Sequence, residues 1–205
     1  MTFQMVSIRP NIQGHPVVPS TARCGETAFH ARLALRGERM TEKEFWRIIE
    51  DCRQDTGGDL EELVDVLTQR LASLPPTDII AFDQQLYARL GHAYDWDLWG
   101  AAYVINGGCS DDGFLYFRGW LVAQGQAVYE AALADPETLV DVAEPEAELE
   151  QFIHVAQDAY QEATGEELPM RANVEPSEPR GEPWEEDELE DLFPVLSERF
   201  NAGAQ

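Results

Sequence analysis

Lysine is almost missing from this chain: Lys43 is the only one among 205 residues. Chemistry that needs a lysine amine, such as a Schiff base or a P-loop, therefore has almost no material. Cysteine is scarce too. Cys24, Cys52 and Cys109 are odd in number, widely spaced and form no CxxC. That argues against a disulfide framework or a structural zinc site and for a reducing, cytoplasmic compartment. No stretch approaches the roughly 18 consecutive apolar residues of a membrane span. Residues 1–10 carry Arg9 with no apolar run behind it, so no secretory signal is read there. Walker A, GxGxxG, HExxH and GxSxG patterns are all absent, which weakens the case for an enzyme without closing it. No internal repeat is visible, and no alternation is long enough to read as a strand.

What the chain has in excess is negative charge. Its 39 Asp and Glu face 14 Lys and Arg, a net charge of −25. Such a field repels nucleic acid and anionic membranes, and it favours solubility or a basic protein partner. The charge is uneven. Residues 1–40 hold five arginines (Arg9, Arg23, Arg32, Arg36, Arg39) against Glu26 and Glu38, a net of +3, which leaves −28 for the rest. This first segment also holds Pro10, Pro16 and Pro19 and lacks apolar periodicity. It is read as a disordered basic extension over residues 1–39. Met40, directly before a strong helix start, is a second candidate for the first residue. The alternative is a basic arm folded back on the acidic domain.

From Thr41 the pattern becomes helical. Thr41 and Glu44 have the spacing of a capping box. Phe45, Trp46, Ile48, Ile49 and Cys52 follow at helical spacing, and Gly57 and Gly58 break the run. Leu60, Leu63, Val64, Leu67, Leu71 and Leu74 mark a second helix that Pro75 and Pro76 end. Thr77 is expected to cap a third helix with Ile79, Ile80, Phe82, Leu86 and Leu90 inward. An aromatic stretch, 96–105, is a fourth. Ser110 is the expected cap of a helix carrying Phe114, Phe117, Trp120 and Leu121. Gly125 divides it from a continuation closed by Asp135 and Pro136. Residues 138–142 read as a connection, and 147–164 as one last helix ended by Gly165. Beyond it, Pro169, Pro176, Pro179 and Pro183 among glutamates have linker composition. Leu189, Leu192, Phe193, Leu196 and Phe200 then form a short amphipathic segment that docks on the domain or on a partner. The fold class read from this pattern is all-α. It is a single compact multi-helix array over residues 40–167, with an acidic, Pro-rich tail over 168–205.

One region concentrates glycine, aromatics and short polar groups. It spans Asp95, Trp96, Asp97 and Trp99, then Asn106, Gly107, Gly108, Cys109, Ser110, Asp111 and Asp112, then Phe117, Arg118 and Trp120. Ser110, Asp111 and Asp112 at a helix start satisfy amides and oppose the helix dipole, which is a purely structural role. The functional readings stand beside it. Asp95, Asp97, Asp111 and Asp112 are oxygen donors suited to a hard cation, though their spacing is not that of an EF-hand, and His92 would be an extra ligand. Cys109 at a helix N-terminus is a candidate nucleophile, with His92 or His154 as its base and the neighbouring aspartates against it. Arg118 either pairs with Asp111 or Asp112 one turn away or meets an anionic ligand. The aromatics Trp96, Trp99, Tyr103, Phe117 and Trp120 read as core before they read as a stacking platform. The candidate ligand-binding residues are thus Asp95, Asp97, Asn106, Cys109, Asp111, Asp112, Arg118 and Trp120. No catalytic residue, metal set or cofactor is assigned.

Residues 41–49, TEKEFWRII, together with NGGCSDDGF at 106–114, YFRGWL at 116–121, QG at 124–125 and ADPE at 134–137, resemble a bacterial family of uncharacterised domains, number 4240 among the domains of unknown function. The resemblance covers roughly residues 40–170. It implies a stand-alone bacterial cytoplasmic domain that begins near Met40 and excludes the Pro-rich tail, and it carries no established activity. The expected function is an acidic protein-binding or regulatory module whose partner is a basic protein. The first alternative is an enzyme or a metal- or ligand-binding domain centred on residues 107–118. The second is a nucleic-acid mimic with carboxylates spaced like phosphates.

Overall fold

The computed structural model describes residues 40–171 and 176–200. The extension expected over residues 1–39 lies outside the described residues. Helix α1 (Glu42–Asp55) starts on the capping box: Thr41 Oγ1 accepts from Glu44 N at 3.3 Å, and Glu44 Oε2 accepts from Thr41 N at 2.9 Å. Its buried face is Phe45, Trp46, Ile48, Ile49 and Cys52. Gly57 and Gly58 turn the chain at φ +62° and +90°, which L side chains resist, and Asp59 caps α2 (Leu60–Ala72).

Helix α3 (Pro76–His92) begins differently from expectation. Pro75 is the N-cap and Pro76 the first helical residue, so Thr77 lies inside the first turn and does not cap it. Proline lacks the N–H that a first turn leaves unsatisfied and has its φ set already, so it competes well for that position. Helices α4 (Trp96–Asn106), α5 (Asp111–Ala123) and α6 (Gln126–Ala134) follow. Gly125, at φ +90°, makes the α5–α6 joint, where Glu50 Oε1 accepts from Gln126 N at 3.1 Å and caps α6 from α1. The expected connection at 138–142 is instead a 3-10 turn, η1 (Pro136–Asp141), capped by Asp135.

The expected helix over 147–164 is divided in two. A 3-10 turn, η2 (Glu150–His154), precedes α7 (Val155–Thr164). The cause lies in hydrogen bonds made elsewhere. Ala147 N donates to Asn106 Oδ1 at 3.0 Å and Leu149 N to Tyr116 O at 3.1 Å, so residues 147–149 run extended along the helical array. Among the described residues no strand forms, and the one isolated bridge is parallel, between Asp95 and Arg180. No helix among them is long and apolar enough to cross a membrane.

In the array α7 packs on α2 and α3, and α5 packs on η2 and α3. The C-terminal end of α3 is a junction. Its carbonyls at Arg89, Leu90 and His92 accept from Tyr129 Oη at 2.8 Å, Arg118 Nη1 at 2.8 Å and Arg180 Nη2 at 2.5 Å. The Leu90 and His92 carbonyls belong to the last turn and are met by cations that suit the helix dipole, while the Arg89 carbonyl, which already accepts from Ala93 N, takes the Tyr129 hydroxyl as a second donor.

The segment after Gly165 runs back over the array. Arg171 grips the buried carboxylate of Asp83 with two bonds, 2.6 and 3.1 Å, and lies over the Tyr87 ring. Arg180 pairs with Asp95 at 3.4 Å, and Trp184 Nε1 donates to Trp96 O at 2.8 Å. A 3-10 turn, η3 (Glu186–Glu188), leads into α8 (Leu189–Leu192) and α9 (Pro194–Phe200), which bury Leu189, Phe193 and Leu196.

Gly119 sets the approach of α5 to η2. A Cβ there would lie 3.0 Å from Ile153 Cγ2 and 3.1 Å from Leu149 O. Because one of these atoms is backbone, relief requires η2 to move. Gly119→Ala is expected to lose about 1–3 kcal/mol of stability despite alanine's better helix propensity. Urea unfolding followed by circular dichroism checks this, and an unchanged or raised midpoint would refute the packing account.

Candidate functional site

The Gly-Gly loop joins α4 to α5 and is fixed at several points. Gly107 takes φ +66° as the left-handed cap of α4, and Gly108 N donates to Tyr103 O at 2.9 Å. Ser110 Oγ accepts from Gly113 N at 3.1 Å and caps α5, and Trp99 Nε1 donates to Cys109 O at 3.0 Å. Asn106 spends Oδ1 on Ala147 N; its Nδ2 is buried and finds no acceptor among the described residues.

The eight candidate residues do not form one constellation. Asp95 caps α4 by accepting from Asp97 N at 3.0 Å and pairs with Arg180. The Asp97 carboxyl is pushed up by partial burial and then by the charge of Asp95. Arg118 is only 4% exposed. It donates to Leu90 O and, from Nε, to Phe114 O at 3.4 Å, with its guanidinium carbon 4.6 Å from the Tyr94 ring centroid. Trp120 is buried against Phe117, with ring centroids 5.4 Å apart. Asp111 and Asp112 are exposed in the first turn of α5. Arg118 and Trp120 therefore belong to the interior, whereas the two aspartates face solvent. Among the described residues no three His, Cys, Asp or Glu side chains gather as a metal-binding group.

Cys109 is half-buried, and its thiol donates to Ser110 O at 3.7 Å. Burial, then the charges of Glu148 and Asp111, push the thiol up to about 12, against the lowering influence of Arg118 and the Trp99 hydrogen bond. The thiolate is the nucleophile, so this environment keeps the group inert at neutral pH. Cys109 is expected to alkylate with iodoacetamide far more slowly than an ordinary cysteine. Its rate should still be climbing above the usual thiol pKa of about 8.5. Glu148→Gln should speed the reaction at neutral pH. Peptide mapping by mass spectrometry reads both, and fast wild-type labelling at neutral pH would contradict this picture.

What the structure does bring together is carboxylates. Residues 143–149 form a non-helical strap that bends at 145–146 and leads into η2; Ala143, Ala147 and Leu149 are buried, while Glu144, Glu146, Glu148 and, at the start of η2, Glu150 are exposed. Glu146 takes φ +65°, a left-handed conformation that is uncommon for a non-glycine residue. Glu148 Oε1 lies 3.0 Å from where a Cβ on Gly113 would stand, so the strap crosses the first turn of α5. The Tyr116 hydroxyl donates to Glu150 Oε1 at 3.3 Å. Its pKa is raised by partial burial and then by the charges of Glu150, Asp112 and Glu148. Asp111, Asp112, Glu148 and Glu150 thus share a face. The sequence reading had the first two and missed the glutamates. The signal for them was the period-two alternation Ala147-Glu148-Leu149-Glu150 after Pro145, inside a stretch read as helix.

A family model described as "Protein of unknown function (DUF4240)" matches residues 40–162. It spans the loop, the strap and the helices that carry them, and ends before Arg171. No curated protein and no solved structure matches.

Proposed function

The chain belongs to the DUF4240 family, and from that premise we propose that it is a protein-binding module that takes a basic segment of another protein on its acidic face. The observation that carries this reading is the strap. The amides of Ala147 and Leu149 donate to Asn106 Oδ1 and Tyr116 O and hold Glu148 and Glu150 near the first turn of α5, where Asp111 and Asp112 lie. Like charges held together raise the energy of the free protein, and a cationic partner relieves it. The wider field, −28 outside residues 1–40, would speed encounter with such a partner and repel polyanions. Binding of this kind is salt-sensitive, because exposed charges are screened beyond about 8–10 Å at physiological ionic strength.

Bulk acidity and a built face make different predictions. The test titrates an arginine-rich peptide into the full chain and follows fluorescence anisotropy. One variant neutralises the face (Asp111→Asn, Asp112→Asn, Glu148→Gln, Glu150→Gln). A control neutralises four exposed acids on α2 and α7 (Glu61→Gln, Asp65→Asn, Asp158→Asn, Glu162→Gln). Loss of two or more contacts worth about 1 kcal/mol each corresponds to a tenfold or greater weakening for the face variant, with little change for the control. Equal weakening in both variants would mean that only net charge matters, and the face would have no role.

A further inference from the structure

The second surface of interest is already occupied by the chain itself. Gly100, in the middle of α4, leaves a notch into which the Phe193 ring fits: a Cβ on Gly100 would stand 2.5 Å from Phe193 Cε2 and 3.1 Å from Leu189 Cδ2. Leu189 on α8, Phe193 at the break between the two helices and Leu196 on α9 are all buried, so the groove takes a helical turn, a bend and a second helix start rather than one straight helix. The groove walls, α4 and η1, both contact α9. Polar groups at its rim match the occupant as well. Glu137 receives Val195 N at 3.1 Å and Leu196 N at 2.9 Å with its two carboxylate oxygens, capping α9. Arg199 donates to Val140 O and pairs with Glu144 at 2.8 Å.

The walls and the occupant differ in one respect. Gly100, Glu137, Val140 and Glu144 lie within the family match, which ends at residue 162, whereas Leu189, Phe193, Leu196 and Arg199 lie outside it. The groove is part of the family domain, and its filling is appended. We propose that this groove is a helix-docking site, held in cis by residues 189–199. Its partner in trans is a protein segment of the same shape: a helical turn ending in Leu-x-x-x-Phe, a break after the Phe, and a second helix carrying Leu and Arg three and six residues beyond that Phe. The Leu and the Phe enter the Gly100 notch, Glu137 caps the helix that starts after the Phe, and Glu144 takes the arginine. This proposal is independent of the acidic face.

The experiment uses the full chain and a fluorescein-labelled peptide of residues 184–200 at physiological salt. Three proteins are compared: wild type, the release variant Leu189→Ala/Phe193→Ala, and the release variant carrying Gly100→Val as well. The release variant is expected to bind the peptide at least tenfold more tightly than wild type, and Gly100→Val to abolish that gain. A release variant that keeps its helical circular dichroism and still binds no better than wild type overturns the proposal. So does binding that ignores Gly100→Val. Hydrogen exchange on the wild-type chain gives an arm that needs no variant. The amides of Phe193 and Ser197, bonded to Leu189 O and Phe193 O, are expected to exchange at least tenfold faster than the interior amides of α5. If they exchange only on global unfolding, residues 189–199 are a fixed part of the core and the docking site does not exist.

Discussion

The C-terminal end of α3 is the point on which the other elements depend. A helix leaves its last carbonyls without partners, and burying them unpaired costs about 1–3 kcal/mol each. Here the carbonyls of Leu90 and His92 are met by Arg118 of α5 and Arg180 of the C-terminal segment, and Tyr129 of α6 adds a second donor to the Arg89 carbonyl, which Ala93 N already serves. Arg118 has the most demanding position. A buried guanidinium is tolerated only where hydrogen bonds and polarisable surface replace water, and it finds carbonyls on one side and the Tyr94 and Phe114 rings on another. One helix end thus locates α5, and α5 in turn locates the loop before it and the strap across it.

Helices were legible where local chemistry and apolar periodicity agreed. The Thr41–Glu44 box, the Gly57–Gly58 break, the Ser110 cap and the Gly125 joint all stand where the sequence places them. Thr77 failed as a cap because proline is a stronger competitor for a first turn. The helix expected over 147–164 failed for a different reason. Its first N–H groups are claimed by Asn106 and by the Tyr116 carbonyl, partners about 30 to 40 residues away that no local rule can see. The same non-locality hid the acidic face, since Glu148 meets Gly113 only after α5 and the strap have packed.

The candidate site separated into two kinds of residue for a physical reason. Positions 118 and 120 in α5 point into a helix surface that is almost wholly interior, so their chemistry serves packing. Positions 111 and 112 lie in the first turn, where the exposed amides favour carboxylates and solvent is near. A stretch rich in glycine, aromatics and charge therefore looked like one site in sequence while contributing to two environments. Cys109 lies between them, kept from ionising first by burial and then by the charge of Glu148.

The C-terminal segment has three basic residues, Arg171, Arg180 and Arg199, and each forms an ion pair with an acid of the helical array: Asp83, Asp95 and Glu144. The pairs are spread along the segment, so it is held at both ends and in its middle. A tethered segment of this kind acts as its own competitor at an effective concentration of roughly millimolar. Any rival for its seat must exceed that value or find the tether loosened. Occupancy of the groove is therefore set less by how much rival is present than by whether the three arginine attachments hold, and cutting the chain among them changes the competition more than abundance does.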